Sequence, residues 1–216
     1  MIFANALPGL AIILQFAAAV FIIAITPGPD MTLFVGRALS QGKAAGLACM
    51  AGAMSGILIH TLLVSLGLSA LIVASPQAFF VLKVAGAGYL IWLAVQAIRR
   101  GSAFSPDAKP QKPASFFRNW ATGLTINLLN PKIVLFFMTF LPQFVSASDP
   151  YAPQKLLFLG LLFIPLSLPV TVPMVLAADG FSSMLKRAPR VMRAIDYLFA
   201  GVFSAFALRI LSASAR

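Results

Sequence analysis

Twice in this chain a helix start is written into the middle of a long apolar run. Thr26-Pro27-Gly28-Pro29-Asp30 falls inside the run from about Leu10 to Leu39, and Asn127-Leu128-Leu129-Asn130-Pro131-Lys132 inside the run from about Trp120 to Leu141. Proline cannot continue a helix, because it lacks the amide N–H and its ring clashes with the preceding turn. It fits at the first helical position, after a capping Gly or Asn. Gly28 and Asn130 take the capping role here, with Pro29 and Pro131 opening the new helices. Both segments are therefore predicted to be membrane helices that break and restart. Each break holds one ionisable residue, Asp30 or Lys132, where charge is expensive. Broken helices with charges at corresponding places in two halves point to the binding site of a transporter.

Composition agrees with a membrane setting. The 216 residues are 60% hydrophobic and 10% charged, whereas soluble domains carry about 25% charged residues. This is the profile of an all-α, polytopic membrane protein with almost no room for a soluble domain. The formal net charge of +11 raises nucleic acid as a partner, but most of the basic residues sit in short loops between apolar runs, so no nucleic acid is expected. The single Cys49 excludes an internal disulfide and a multi-cysteine metal site. The single His60 excludes a histidine-rich metal site. No cofactor is expected either, because no phosphate-cradling glycine loop with Lys and Ser/Thr is present. Transport energy must then come from an ion or substrate gradient. No basic segment precedes the first apolar run, so a cleaved leader is not expected.

Six spans are predicted, over about 8–38 (broken), 44–68, 77–98, 119–145 (broken), 155–178 and 191–211. Each reaches the ~20 residues needed to cross hydrocarbon. A polar, proline-rich linker at 99–118 divides the single membrane domain, 1–216, into halves 1–98 and 119–216. Basic residues gather in alternate loops: Arg37 and Lys43; Arg99, Arg100, Lys109, Lys112 and Arg118; Lys186, Arg187, Arg190 and Arg193. The positive-inside rule makes these loops cytoplasmic and puts both termini outside. Three spans per half force the halves into opposite orientations, an inverted 3+3 repeat. At an offset of 102, Pro29, Leu33, Phe34, Leu39 and Gln41 match Pro131, Leu135, Phe136, Leu141 and Gln143, five of thirteen positions. Asp30 then aligns with Lys132. Each break lies roughly ten residues before the following loop, or about 15 Å, half of a ~30 Å hydrocarbon core. Both breaks are thus expected near the midplane, approached from opposite sides.

Asp30 sits in the first turn of a half-helix, at the end with free N–H groups and a positive dipole. It is read either as the site for a substrate ammonium or a proton, or as a carboxylate paired permanently with Lys132. Lys132 is read as the partner of a substrate carboxylate or as the other half of that ion pair. Asn130 would leave further N–H groups of its half-helix for the same anion. Asn127, one turn earlier, is read as an interhelical hydrogen-bonder. His60 shares a helix face with Cys49, Ala53 and Gly56, small residues that let helices approach; a proton relay or a satisfied interhelical bond both fit it. Pro165, Pro169 and Pro173 repeat at spacing four in span five. They leave the carbonyls of Leu161, Pro165 and Pro169 without donors, either as a polar column or as a kink repaired by Ser167, Thr171 or neighbouring helices.

The ordered set of these features resembles a known family. Thr26-Pro27-Gly28-Pro29-Asp30 is followed by Gly42-Lys43-Ala44-Ala45-Gly46-Leu47, His60, Leu66-Gly67-Leu68-Ser69-Ala70-Leu71 and Ser75-Pro76. Lys83-Val84-Ala85-Gly86-Ala87-Gly88-Tyr89-Leu90 and Asn130-Pro131-Lys132 complete it. The pattern, over almost the whole chain, is similar to the LysE/RhtB amino-acid exporters, the RhtB branch above all. That resemblance implies a six-span bacterial inner-membrane carrier, embedded in the lipid bilayer, that exports amino acids or derivatives by proton antiport. Family substrates range over homoserine, threonine, leucine, cysteine and basic amino acids. Span five, with three prolines, departs from the pattern, so no relative's substrate transfers. Self-association into a homo-oligomer is left open. The alternatives are a carrier of the same fold for another solute, such as a metal cation, and a non-transporting intramembrane enzyme or scaffold. The absence of a Ser/His/Asp or paired-acid arrangement disfavours the enzyme, and the midplane charges disfavour the scaffold.

Overall fold

The computed structural model describes residues 7–68, 111–146 and 149–213, with single positions between 77 and 99. The expected third span falls on those single positions. Residues 100–110 of the expected linker and both chain ends lie outside the described residues. No strand occurs among the described residues. The elements are α1 (Leu10–Ile25), α2 (Pro29–Gln41), α3 (Lys43–Leu62), α4 (Phe116–Leu129), α5 (Pro131–Leu135), α6 (Ala152–Leu176), α7 (Ala178–Arg187) and α8 (Pro189–Ala213).

Two continuous helices are long and apolar enough to cross a bilayer, Lys43–Gly67 and Ala152–Leu176. Two bent pairs qualify when each is taken as one span. Leu10–Ile25 and Pro29–Gln41 meet at 52°, and Phe116–Leu129 and Pro131–Phe144 at 53°. These four fall where spans two, five, one and four were expected. α8 stands where the sixth was expected, with Arg190, Arg193 and Asp196 in its first two turns.

Both breaks follow from the prolines. In α1 the carbonyl of Ile23 would bond the amide of residue 27, and that of Ile25 the amide of residue 29. Both positions are proline and have no N–H. The helix therefore stops at Ile25, with Thr26 doubly bonded to the Ile22 carbonyl (N 3.1 Å, Oγ1 2.6 Å). α2 restarts after Gly28. In the second break Asn130 caps α5 by accepting from the Lys132 amide at 3.1 Å, with Pro131 at the first helical position. Beyond α5 the chain is not the plain half-helix the sequence predicted. It widens into a π-helical turn, Phe136–Phe140, and tightens into a 3₁₀ turn, Leu141–Phe144. Pro142 withholds the donor that Met138 would need, which loosens the ladder at that point.

The turn between spans one and two is shorter than expected. Gly42 alone joins α2 to α3 with φ +92°, a conformation that only glycine adopts cheaply. A second difference lies after span five, where a loop was expected and α7 forms instead. Ala178, Phe181 and Ser182 turn inward while Asp179, Ser183 and Arg187 face out, so ten residues make an amphipathic turn-back.

Apolar burial gives little drive between helices in lipid, so close approach of backbones must hold them together. The tightest crossing is α3 on α4. Gly52 lies on the backbone of Trp120, and Gly123 lies on the backbone of Cys49. Trp120 Nε1 donates to Ser55 Oγ at 3.2 Å across the same contact. Two apolar clusters flank the breaks. One gathers Phe16, Phe136, Phe137, Phe140 and Phe163 with α1 and α6. The other gathers Met31, Phe34, Val35, Met174 and Val175 with α3. The charged residues lie at the seam between them.

Candidate functional site

A cavity of about 480 Å³, counting its open mouth, sits at that seam. Its polar wall is Thr26, Asp30, Asn127, Lys132, Ser167 and Thr171. The breaks reach across to each other. Lys132 Nζ donates to the carbonyls of Thr26 (2.8 Å) and Ile23 (3.2 Å) at the end of α1. Ile23 is a carbonyl that Pro27 has orphaned, and a helix C-terminus attracts a cation. In return, Asp30 in the first turn of α2 accepts from Asn127 Nδ2 in the last turn of α4, at 2.8 Å.

Gly28 makes room for this exchange. A side chain there would begin 3.0 Å from Lys132 Nζ. Pro29 and Pro131 face outward and act on the backbone alone. Gly56 does for Asn127 what Gly28 does for Lys132, since an added Cβ would strike the Asn127 amide.

The sequence left open a direct Asp30–Lys132 ion pair. An ion pair forms instead between Lys155, in the first turn of span five, and Asp149, in the loop before it, at 2.6 Å. That contact and the Tyr151 amide hold the Asp149 carboxyl below the usual carboxylate range. Asp30 and Lys132 each feel the other's charge, but each is held by neutral dipoles. Asp30 Oδ1 and Asn127 Oδ1 are buried without a hydrogen-bond partner.

The α5 N-terminus offers no free amide in its first turn, because Lys132 N goes to Asn130 Oδ1 and Ile133 N and Val134 N go to the Asn130 carbonyl. His60 does not line the cavity. It is buried and stacks on Phe137 with centroids 5.6 Å apart; its Nε2 has no partner, while the ring hydrogen-bonds the Asn127 backbone on α4, an interhelical bond as the sequence allowed. The prolines of span five all face outward, away from the cavity. Nor do the hydroxyls repair them: Ser167 donates to Ile164 at 2.9 Å and Thr171 to Ser167 at 3.1 Å, neither one an orphaned carbonyl.

Sequence reasoning missed Ile23 and Thr26 as the seat of Lys132. The signal was present, since Pro27 fixes which carbonyl loses its donor. It also missed Gly52, although Gly52 and Gly56 stand four apart as small residues do at close helix contacts.

Residues 21–214 match the LysE type translocator family. The chain belongs to this family. It is a transporter and not an enzyme. A homoserine/homoserine lactone efflux protein of Salmonella typhimurium is 30% identical over 184 residues, covering 84% of this chain and 87% of the relative. A leucine efflux protein of Klebsiella pneumoniae is 27% identical over 198 residues, covering 89% and 90%. An uncharacterized membrane protein of Vibrio cholerae is 26% identical over 204 residues, covering 94% and 97%. No solved structure matches this chain.

Proposed function

We propose that this LysE-family translocator exports amino acids or their derivatives across the bacterial cytoplasmic membrane in exchange for protons. The observation that carries the reading is one carboxylate and one ammonium on the wall of a single cavity, each held by neutral groups and not by the other. A zwitterion matches that pair. Its ammonium meets Asp30 Oδ1, which has no partner. Its carboxylate meets Lys132, whose three donors are two-thirds committed to carbonyls. Proton exchange follows from Asp30: a carboxylate that takes up a proton gives up its hold on an ammonium, so proton and substrate compete for it. The efflux proteins among the relatives support the substrate type. Counterflow of labelled amino acids in proteoliposomes tests it. Accelerated exchange, driven further by an imposed pH gradient, is expected; no exchange of any amino acid above empty vesicles overturns it.

We also propose six spans in an inverted 3+3 repeat, with both termini outside and 99–118 in the cytoplasm. The matched bends, the matched caps Gly28 and Asn130 at an offset of 102, and the mutual reach of the breaks support it. A cysteine at Lys112, an exposed position, is expected to react with an impermeant maleimide only after the cells are opened. Cys49 is fully buried and leaves the background low. Labelling of Lys112→Cys in intact cells at full yield would reverse the orientation.

A further inference from the structure

We infer that His60 is a positioning residue for the carboxylate site: from α3 it sets how the second helix break presents Asn127 to Asp30. This role rests on the reading of Asp30 as the group that meets a substrate ammonium. In a continuous helix the Asn127 carbonyl would bond the amide of residue 131, which is proline and has no N–H. The Asn130 amide bends back to that carbonyl at 3.1 Å, which uses one of the oxygen's two lone pairs. The His60 ring hydrogen-bonds the same backbone from another helix. The first break is settled in the same way, since the Ile23 carbonyl orphaned by Pro27 takes Lys132 Nζ at 3.2 Å. Each break thus gives its orphaned carbonyl to a side chain of a different helix.

His60 touches both sides of its break. Asn127 is in the last turn of α4. Phe137, on which the ring stacks at 5.6 Å and 27°, is in the π-helical turn after α5. Phe137 in turn packs on Phe163 at 5.5 Å, a residue of the cavity wall. Gly56, one turn before His60 on α3, lies against the Asn127 side chain, where an added Cβ would strike Oδ1. α3 therefore fixes Asn127 at two points, the backbone by His60 and the side chain by Gly56. Held in this way, Asn127 turns its Nδ2 to Asp30 Oδ2 at 2.8 Å. Packing alone does not account for the imidazole. His60 is 6% exposed and its Nε2 has no partner, a penalty that a phenylalanine ring would not carry. What the imidazole adds is the hydrogen bond to the break.

The test is amide hydrogen–deuterium exchange of the purified protein, which needs no transport. His60→Phe keeps a flat ring and removes the hydrogen bond. It is expected to speed exchange of the amides of residues 130 and 132–134 about tenfold, the worth of one such bond, with the amides of α6 unchanged. His60→Asn, which can still donate, is expected to keep those amides near the wild-type rate. Wild-type exchange in His60→Phe overturns the role. So does equal acceleration in both variants, or acceleration that spreads over α6, because either marks His60 as packing only. Counterflow of labelled leucine and homoserine in proteoliposomes then carries the test to the site. His60→Phe is expected to raise the half-saturating concentration about tenfold and to leave the maximal rate within about twofold. An unchanged half-saturating concentration beside a loosened break would show that the hold does not reach Asp30, and overturns the role as well. A wild-type protein that exchanges neither amino acid removes the ammonium reading, and the amides of the break still decide whether His60 holds it.

Discussion

Gly123→Ala is expected to cost this protein its fold, although it adds a single methyl group in the middle of a helix, where alanine is the better helix former. The added carbon would sit on the carbonyl of Cys49, a backbone group on α3 that cannot rotate away. Gly52→Ala would collide in the same manner with the carbonyl of Trp120. Overpacking of a core typically costs about 1–3 kcal/mol when side chains can yield. Here the obstacle is main chain, so α3 and α4 must separate, and the Asn119–Cys49 and Trp120–Ser55 contacts go with them. The site is lost as well, because Asn127 stands one turn beyond Gly123 and packs on Gly56. The check is the thermal midpoint and the monodisperse fraction of detergent-purified protein. Gly36→Ala is the control, since an added Cβ there meets nothing within 4 Å. Wild-type stability for Gly123→Ala would mean that the crossing is looser than described.

The breaks were written in local chemistry and could be read from the sequence, whereas the α3–α4 crossing on Gly52 and Gly123 could not. Pro27, Pro29 and Pro131 decide by covalent structure which amides are missing, and no tertiary contact can restore them. The caps Gly28 and Asn130 follow from the same positions. What could not be read was which group takes up each orphan. For Lys132 the sequence left two partners open, Asp30 and a substrate carboxylate. The structure instead gives Lys132 two carbonyls and gives Asp30 an amide. That choice depends on how two bent helices cross, which periodicity does not encode. The same limit applies to span five: a spacing of four put three prolines on one face, but nothing in the spacing said that the face looks outward. α7 was missed because ten residues with Asp179, Lys186 and Arg187 look like a charged loop when no apolar stripe longer than two turns marks them.

Asp30→Asn is expected to bring export to background, a loss on the order of a hundredfold or more, while the protein stays folded. The two side chains have the same shape, and Asn127 Nδ2 can still donate to an amide oxygen where it now donates to Asp30 Oδ2 at 2.8 Å. Only the charge disappears, and with it the acceptor for an ammonium and the group that exchanges a proton. Export at the wild-type rate with the wild-type pH dependence would show Asp30 to be structural. Lys132→Gln should also stop transport, but with a different cost. The carbonyls of Thr26 and Ile23 lose a charged donor inside the membrane, and a buried acceptor left unmade costs about 1–3 kcal/mol. The double variant then discriminates between two pictures of the empty carrier. If the charges neutralised each other directly, removing both would restore the stability that removing one had taken away. With each charge held by its own dipoles and only a through-space attraction between them, the double variant should instead be less stable than either single variant. Recovery of the thermal midpoint in Asp30→Asn/Lys132→Gln would return the direct ion pair. A further loss in the double variant would leave the carboxylate and the ammonium separately poised, as a zwitterion requires.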